Sequence, residues 1–289
     1  MYGKLYIVAT PIGNLSDISQ RAIDILRSVD IVAAEDTRRT LGLLSHFGIN
    51  VPVVSNYKHN EQKRSHQLID RILNENLNVA VVSDAGTPCI SDPGSHLTKL
   101  ARQNGIEVFA IPGASAVMSA LSVSGFDFTQ FTFKGFIPRT NKEKAVFFDS
   151  MNNSDIPTFV FFESPKRIIP SLKDLSKIMP SCEIIVLNDI TKFHERSYWG
   201  LIDDVINQLN EFPNSHLGEY TVVLNKTQKN EPLPTEIVNN LISIEALILD
   251  EMVKSNCTIK EASAKLTDRG EVSRNDTYKA AIKLKQMFE

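Results

Sequence analysis

Four short segments carry residue types able to hold a small polar ligand: Thr10-Pro11-Ile12-Gly13-Asn14, Glu35-Asp36-Thr37-Arg38, Asp84-Ala85-Gly86-Thr87-Pro88 and Pro112-Gly113-Ala114-Ser115. Small residues let a ligand approach the backbone, and the free N–H groups of a first helical turn receive a carboxylate or the acceptor atoms of adenine. Asp84 adds a carboxylate, beside a turn fixed by Pro88. Gly and Pro are also the usual punctuation of strand-to-helix turns, so one such loop carries little weight. Four loops of shared composition on one edge describe a cleft floor, and their chemistry suits a zwitterionic, adenine-bearing ligand. The sequence has no Gly-x-Gly and no GxxxxGK, which disfavours NAD or a nucleoside triphosphate in that cleft.

The surrounding pattern places these loops together. Apolar runs at Lys4–Ala9, Asp30–Ala34, Val51–Ser55, Asn78–Ser83 and Glu107–Ile111 alternate with helical stretches at Ser19–Ser28, Thr37–Phe47, Glu61–Asn76 and Gly94–Asn104. That alternation predicts an α/β domain over residues 1–117 with a parallel sheet, whose sites lie at the carboxyl ends of the strands. Residues 118–226 read as a second α/β domain with a mixed sheet. Its strands are expected at Phe131–Ile137, Thr158–Phe162, Glu183–Leu187 and Tyr220–Leu224, and its helices at Asn141–Ser150, Pro165–Ile178 and Leu201–Asn210. A polar linker, Thr227–Pro234, precedes a helical module over 234–289 with no strand signal. Between Met252 and Met287 that module has eight Lys or Arg against four Asp or Glu. Its helix Thr258–Leu266, turn at Arg269-Gly270 and final helix capped by Ser273 outline a helix-turn-helix, with simple packing or dimerisation as the alternative.

Composition narrows the class. The 289 residues are 42% hydrophobic and 22% charged, with a net charge of −3, as in an ordinary globular protein rather than a broadly basic nucleic-acid binder. No run approaches the length of a membrane span, and Met1–Thr10 reads as a first strand rather than a signal. Cys89, Cys182 and Cys257 are scattered and odd in number, which points away from disulfides and zinc and towards the cytoplasm.

The loop sequences resemble the tetrapyrrole-methylase superfamily, and within it the branch that methylates small-subunit ribosomal RNA. The resemblance rests on Leu5-Tyr6-Ile7-Val8-Ala9-Thr10-Pro11-Ile12-Gly13-Asn14-Leu15, Ala34-Glu35-Asp36-Thr37-Arg38, Val82-Ser83-Asp84-Ala85-Gly86-Thr87-Pro88 and Ile111-Pro112-Gly113-Ala114-Ser115-Ala116. Phe133-Lys134-Gly135-Phe136-Ile137-Pro138-Arg139 and Phe162-Glu163-Ser164-Pro165-Lys166-Arg167-Ile168 extend it into the second region. It implies a class III methyltransferase fold of two α/β domains with S-adenosylmethionine in the cleft between them, a homodimer and no metal. It also implies methylation of a cytidine ribose 2′-oxygen in the decoding region of 16S ribosomal RNA. On this mapping Pro11 and Gly13 form the first cofactor loop, and Ser83, Asp84, Ala85, Gly86, Thr87 and Pro88 line the methionine side. Pro112, Gly113, Ala114 and Ser115 hold the remainder, and Phe162 and Asn188 cover the adenine. The branch usually reads His-Glu-His-Asn where Tyr57-Lys58-His59-Asn60 stands, and Arg-Glu-Leu-Thr-Lys where Asn188-Asp189-Ile190-Thr191-Lys192 stands.

A ribose hydroxyl is a weak acid, so its methylation calls for a proton acceptor. Asp36, His59 and Glu163 are the loop candidates, each with a structural alternative. Asp36 can cap the helix at Thr37, His59 can be a surface residue, and Glu163 can pair with Lys166 or Arg167. The residues alone assign no base. RNA phosphates call for cations, and Arg38, Arg39, Lys58, Lys63, Arg64, Arg139, Lys142, Lys144, Lys166, Arg167, Lys192 and Arg196 all fall in loops or first turns near the expected cleft mouth, with Arg38, Arg39, Lys166 and Arg167 the RNA-binding candidates. The competing functions are a tetrapyrrole C-methyltransferase and an RNA-binding assembly factor without activity. The helical module and the Glu35–Arg38 stretch speak against the first, and the intact loop set against the second.

Overall fold

A computed structural model describes residues 2–226, 244–255, 257–268 and 272–288. The chain divides into two compact units, Met1–Thr227 and Gln228–Glu289. The first unit holds two five-stranded sheets. Strands β1 (Leu5–Val8), β2 (Ile31–Ala34), β3 (Val53–Ser55), β4 (Val79–Val82) and β5 (Val108–Ile111) form an all-parallel sheet in the order β3-β2-β4-β1-β5. Its central strands are buried on both faces, which explains why they read as unbroken apolar runs. Helices α1 (Gln20–Ser28), α2 (Thr37–His46), α3 (Glu61–Asn74) and α4 (Ser95–Gln103) cover the faces.

The chain leaves β1 towards β2 and leaves β4 towards β5, in opposite directions along the sheet. The crevice at such a switch point is where open parallel sheets bind ligands. Here it falls between the ends of β1 and β4, where two expected loops meet.

The second sheet runs β6-β7-β10-β8-β9, built from β6 (Phe131–Phe136), β7 (Thr158–Glu163), β8 (Glu183–Asn188), β9 (Arg196–Leu201) and β10 (Tyr220–Asn225). Only β6 and β7 pair in parallel, so the sheet is mixed, as expected. Strand β9 went unread in the sequence for a physical reason: it is an edge strand in which only Tyr198 is buried. Helices α6 (Asn141–Asn152), α7 (Ile168–Ile178) and α8 (Ile202–Glu211) pack with one face around Phe148, Phe161, Leu172 and Val205. Helix α6 opens on a capping box, with Thr140 Oγ1 accepting from Glu143 N (3.3 Å) and donating to Glu143 Oε2 (2.6 Å).

Helix α5 (Ala116–Val123) joins the two halves. It leaves the first sheet at Ser115, yet buries Ala120 and Leu121 against Val160, Ile185, Leu187 and Val223 of the second. The boundary expected after residue 117 falls inside this helix.

The second unit contains α9 (Ile244–Ser255), α10 (Ile259–Asp268) and α11 (Arg274–Phe288), packed around Ile248, Ala262, Leu266, Ala280 and Leu284. Thr258 and Glu261 cap α10 reciprocally, and Ser273 Oγ accepts from Asp276 N (3.2 Å) at α11. The expected turn residues Arg269 and Gly270 and the linker 227–234 lie outside the described residues. Among the described residues no helix is long and apolar enough to cross a membrane.

Candidate functional site

A cavity of about 450 Å³ lies between the carboxyl edge of the parallel sheet and the second sheet. That is within the usual size of small-molecule sites. One wall is formed by Glu35, Arg39, Asp84, Ala85, Gly86, Thr87 and Asp92, with Ser115, Ala116 and Val117 at the start of α5. The other is formed by Phe136, Phe162, Ile190 and the segment Gly218–Thr221. A smaller cavity of about 200 Å³ shares Arg39 and Asp84 and is lined by Thr10, Pro11 and Ser83.

The loops are bonded to one another. Thr10 and Gly86 exchange backbone hydrogen bonds of 2.9 and 3.0 Å. Thr10 Oγ1 donates to Ser83 O (3.1 Å), Thr87 Oγ1 to Ala114 O (3.3 Å), and Asp36 N to Asp84 Oδ1 (3.0 Å). Gly86 adopts φ +79° with Ile12 close by, so a side chain there would be strained. Across the cavity, Asp189 (φ 54°) and Thr191 (φ 68°) take a left-handed backbone, a costly choice for a β-branched residue. Lys192 Nζ holds that turn through Asp189 Oδ1 (2.6 Å) and Glu219 Oε2 (2.9 Å), and Thr191 N donates to Glu195 Oε2 (2.7 Å).

Six of the expected cofactor residues, Asp84, Ala85, Gly86, Thr87, Ser115 and Phe162, line the larger cavity, and Pro11 and Ser83 line the smaller. The others support the walls. Pro88 is buried, and Ala114 contributes the carbonyl that accepts from Thr87. Pro112 O accepts from Ser19 Oγ (3.3 Å), which ties the loop to the cap of α1. A Cβ on Gly113 would lie 2.9 Å from Ala9 Cβ, so this glycine serves the close approach of β1 and β5. A Cβ on Gly13 would lie 2.5 Å from Lys192 Cγ, so that glycine admits the β8–β9 turn. Asn188 is buried, and its Nδ2 donates to Leu217 O (3.2 Å) behind the cavity wall.

The three proton-acceptor candidates lie in different surroundings. Asp36 caps α2, accepting from Arg38 N (2.9 Å), and its ion pair with Arg38 holds the carboxyl below the usual range. His59 is exposed, beside Tyr57, and lines neither cavity. Glu163 reaches the cavity, but its buried carboxylate accepts from Ser164 N (2.6 Å) and Ser171 Oγ (2.7 Å) and pairs with Arg167 (3.0 Å). Sequence reasoning missed three carboxylates that do line it, Glu35, Asp92 and Glu219, the last of them paired with Lys192. Burial first, then neighbouring carboxylates, pushes Glu35 upward, and burial does the same to Asp92. Glu35 stands in a motif the sequence already marks, but a strand-end residue and the next differ in direction, which only the fold reveals.

Among the cations, Lys166 is exposed, and Arg38 is exposed while paired with Asp36 (3.0 Å). Arg39 pairs with Asp84 (3.4 Å) at the cavity edge. Arg167 is committed elsewhere, donating to Ile137 O (3.0 Å) and Pro138 O (2.6 Å) besides its pair with Glu163. Lys144 and Lys192 are likewise paired, with Asp174 and with Asp189.

The donor set fits S-adenosylmethionine. The N–H groups of Ala116 and Val117 belong to the first turn of α5 and have no acceptor within the helix, while Ser115 Oγ accepts from Met118 N (3.4 Å). Those two N–H groups suit a carboxylate or adenine acceptor. Asp84 and Asp92 suit an ammonium or sulfonium cation, and Val117, Phe162 and Ile190 offer an apolar wall for a purine. Among the described residues no cluster of His, Cys, Asp and Glu could hold a metal ion.

The family model for tetrapyrrole (corrin/porphyrin) methylases matches residues 4–206. Ribosomal RNA small subunit methyltransferase I of Pasteurella multocida is 38% identical over 283 residues, covering 97% of each chain. The protein of that name from Escherichia coli O157:H7 is 36% identical over 97% of this chain and 95% of its own. The one from Thermotoga maritima is 42% identical over 222 residues, 77% of this chain but 98% of its own, so it is about as long as the first unit alone. Among solved structures, diphthine synthase superposes with a TM-score of 0.60 at 17% identity, over 78% of this chain and 91% of that one. A uroporphyrin-III C-methyl transferase from Thermus thermophilus, complexed with S-adenyl homocysteine, gives 0.54 at 16% identity, over 78% and 98%. These two share the fold. The extent and identity of the sequence matches show that the chain belongs to the tetrapyrrole methylase family and, within it, to the ribosomal RNA small subunit methyltransferase I group.

Proposed function

We propose that this protein is a cytoplasmic S-adenosylmethionine-dependent methyltransferase acting on 16S ribosomal RNA, and that its target is a cytidine ribose 2′-oxygen in the decoding region. The observation that carries this reading is the near-full-length match to relatives named for small-subunit ribosomal RNA methylation, in a chain that keeps a cofactor-sized cavity at the switch point. The charge of the cavity supports it over a tetrapyrrole methylase. Glu35, Asp84 and Asp92 line it against the single guanidinium of Arg39, with Glu163 and Glu219 already paired. Such a cavity repels a polycarboxylate macrocycle. It tolerates a neutral ribose hydroxyl whose phosphates stay at the rim.

Bound S-adenosylmethionine supplies an activated methyl group on a sulfonium. The chain supplies position, and holding the reacting atoms in line at about 3 Å removes several kcal/mol of the barrier. Ala116 and Val117 would hold an acceptor of the cofactor, Phe162 and Ile190 would cover its purine, and Asp84 would face its cationic end. Exposed Arg38 and Lys166 would meet phosphates, fixing the register of the RNA without reading its sequence. A second copy of the chain is the favoured partner of α5, which is apolar yet leaves Met118 57% and Val123 59% exposed. The helical unit adds docking rather than chemistry, consistent with a relative of the same name that lacks the length for it.

A strain lacking the protein tests the reading. Its 16S RNA should lose one 2′-O-methylcytidine, read by nucleoside mass spectrometry. The full chain should restore it, and a chain ending at residue 227 should restore it several-fold less. An unchanged nucleoside profile would refute the assignment.

A further inference from the structure

We propose that Glu35 accepts the proton that the ribose 2′-hydroxyl loses as it is methylated. This rests on the function proposed above and adds the residue that completes the reaction. Glu35 follows directly on β2, beside the loop that follows β4, and its side chain lines the large cavity. Of the other four carboxylates there, Asp84, Glu163 and Glu219 are held by hydrogen bonds or ion pairs. Asp84 accepts from Asp36 N (3.0 Å) and pairs with Arg39 (3.4 Å). Asp92 faces the Ser83 hydroxyl. Glu163 is saturated by Ser164, Ser171 and Arg167, and Glu219 pairs with Lys192. Glu35 receives only a long contact from Asp84 N, at 3.5 Å.

The groups that face Glu35 set its proton affinity. Burial raises it most, Asp92 and Asp84 raise it further by repulsion, and the Asp84 N–H and Arg39 oppose them. An acceptor raised towards the working pH is better matched to a weakly acidic hydroxyl than an ordinary carboxylate. In the step, the hydroxyl proton passes to a carboxylate oxygen of Glu35. The 2′-oxygen forms its bond to the methyl carbon as the carbon–sulfur bond breaks. The bonding pair stays on sulfur, leaving a neutral thioether, and Glu35 returns the proton to solvent.

The test compares Glu35→Gln and Glu35→Asp with the wild-type full chain. Methyl transfer to small subunits should fall about 100-fold or more in the Gln variant, with partial recovery in the Asp variant. Calorimetry should give an S-adenosylhomocysteine affinity within about twofold of wild type. The Glu35 carboxyl, identified by the carbon-13 signal that the Gln variant lacks, should titrate above the ordinary glutamate range in the free protein. The acid limb of the rate profile should follow that midpoint.

Linkage gives an independent sign. A carboxyl whose proton affinity is raised by folding makes the folded state less stable as pH rises from the unfolded to the folded midpoint, and the cost persists above both. The Gln variant should therefore melt no lower than wild type at pH 7. A Gln variant that methylates at the wild-type rate, an ordinary titration of Glu35, or an equal loss of S-adenosylhomocysteine binding would each overturn the assignment. A wild-type protein that leaves ribose unmethylated would instead refute the function on which it rests.

Discussion

Glu163→Ala should lower the stability of the first unit by about 3 kcal/mol, because it leaves part of a buried charge network unanswered. The carboxylate is 3% exposed and is met by Ser164 N, Ser171 Oγ and Arg167. Arg167 keeps two carbonyl acceptors, Ile137 O and Pro138 O, which places the loss at the low end of the range for broken buried pairs. Thermal unfolding should show a drop of roughly 6–12 °C for a unit of this size. Glu163→Gln keeps the shape and most of the hydrogen bonds, so it should fold and retain methyl transfer within a few-fold. Loss of turnover in a folded Gln variant would return Glu163 to the chemistry.

Ala116→Trp should weaken S-adenosylhomocysteine binding by about 100-fold or more, equivalent to roughly 2.7 kcal/mol. Ala116 is the first residue of α5, half-buried at the cavity wall, and an indole there occupies space that a purine or carboxylate needs. The helix tolerates the exchange at its first position, because Ser115 still caps it and the core contacts come from Ala120 and Leu121. Calorimetry with a melting curve separates the cases. Wild-type affinity in a folded variant would move the cofactor site out of this cavity.

What the sequence made legible follows from how local each feature is. Strands β2 and β4 read clearly because buried parallel strands show as apolar runs, and the edge strand β5 because Val108-Phe109-Ala110-Ile111 is itself apolar, whereas β9 offers one buried side chain among polar neighbours and looks like a loop. The loops after β1, β2, β4 and β5 were recognisable from Gly, Pro and small polar residues, since composition is itself local. Side-chain direction was not. Asp36 turned out to cap α2 while its neighbour Glu35 lines the cavity. The purpose of Gly13 depends on a turn about 180 residues away, and that of Arg167 on the carbonyls that close β6, so neither is written in its own neighbourhood. Asn188 was placed against the adenine by the family resemblance alone, and its Nδ2 donates to the Leu217 and Glu219 carbonyls, a partnership set by a loop some thirty residues away.

The central claim is that the cavity at the β1/β4 switch point delivers a methyl group to a ribose oxygen of small-subunit RNA. Its most direct test is a reconstituted reaction of the purified full chain, small subunits from a strain lacking it, and S-adenosylmethionine labelled in the methyl group. After digestion to nucleosides, the label should appear in 2′-O-methylcytidine, in one equivalent per subunit, and Ala116→Trp should slow its appearance by about 100-fold at cofactor concentrations below the wild-type dissociation constant. Label recovered in a base-methylated nucleoside, or transferred equally well by the Ala116→Trp variant, would contradict the account.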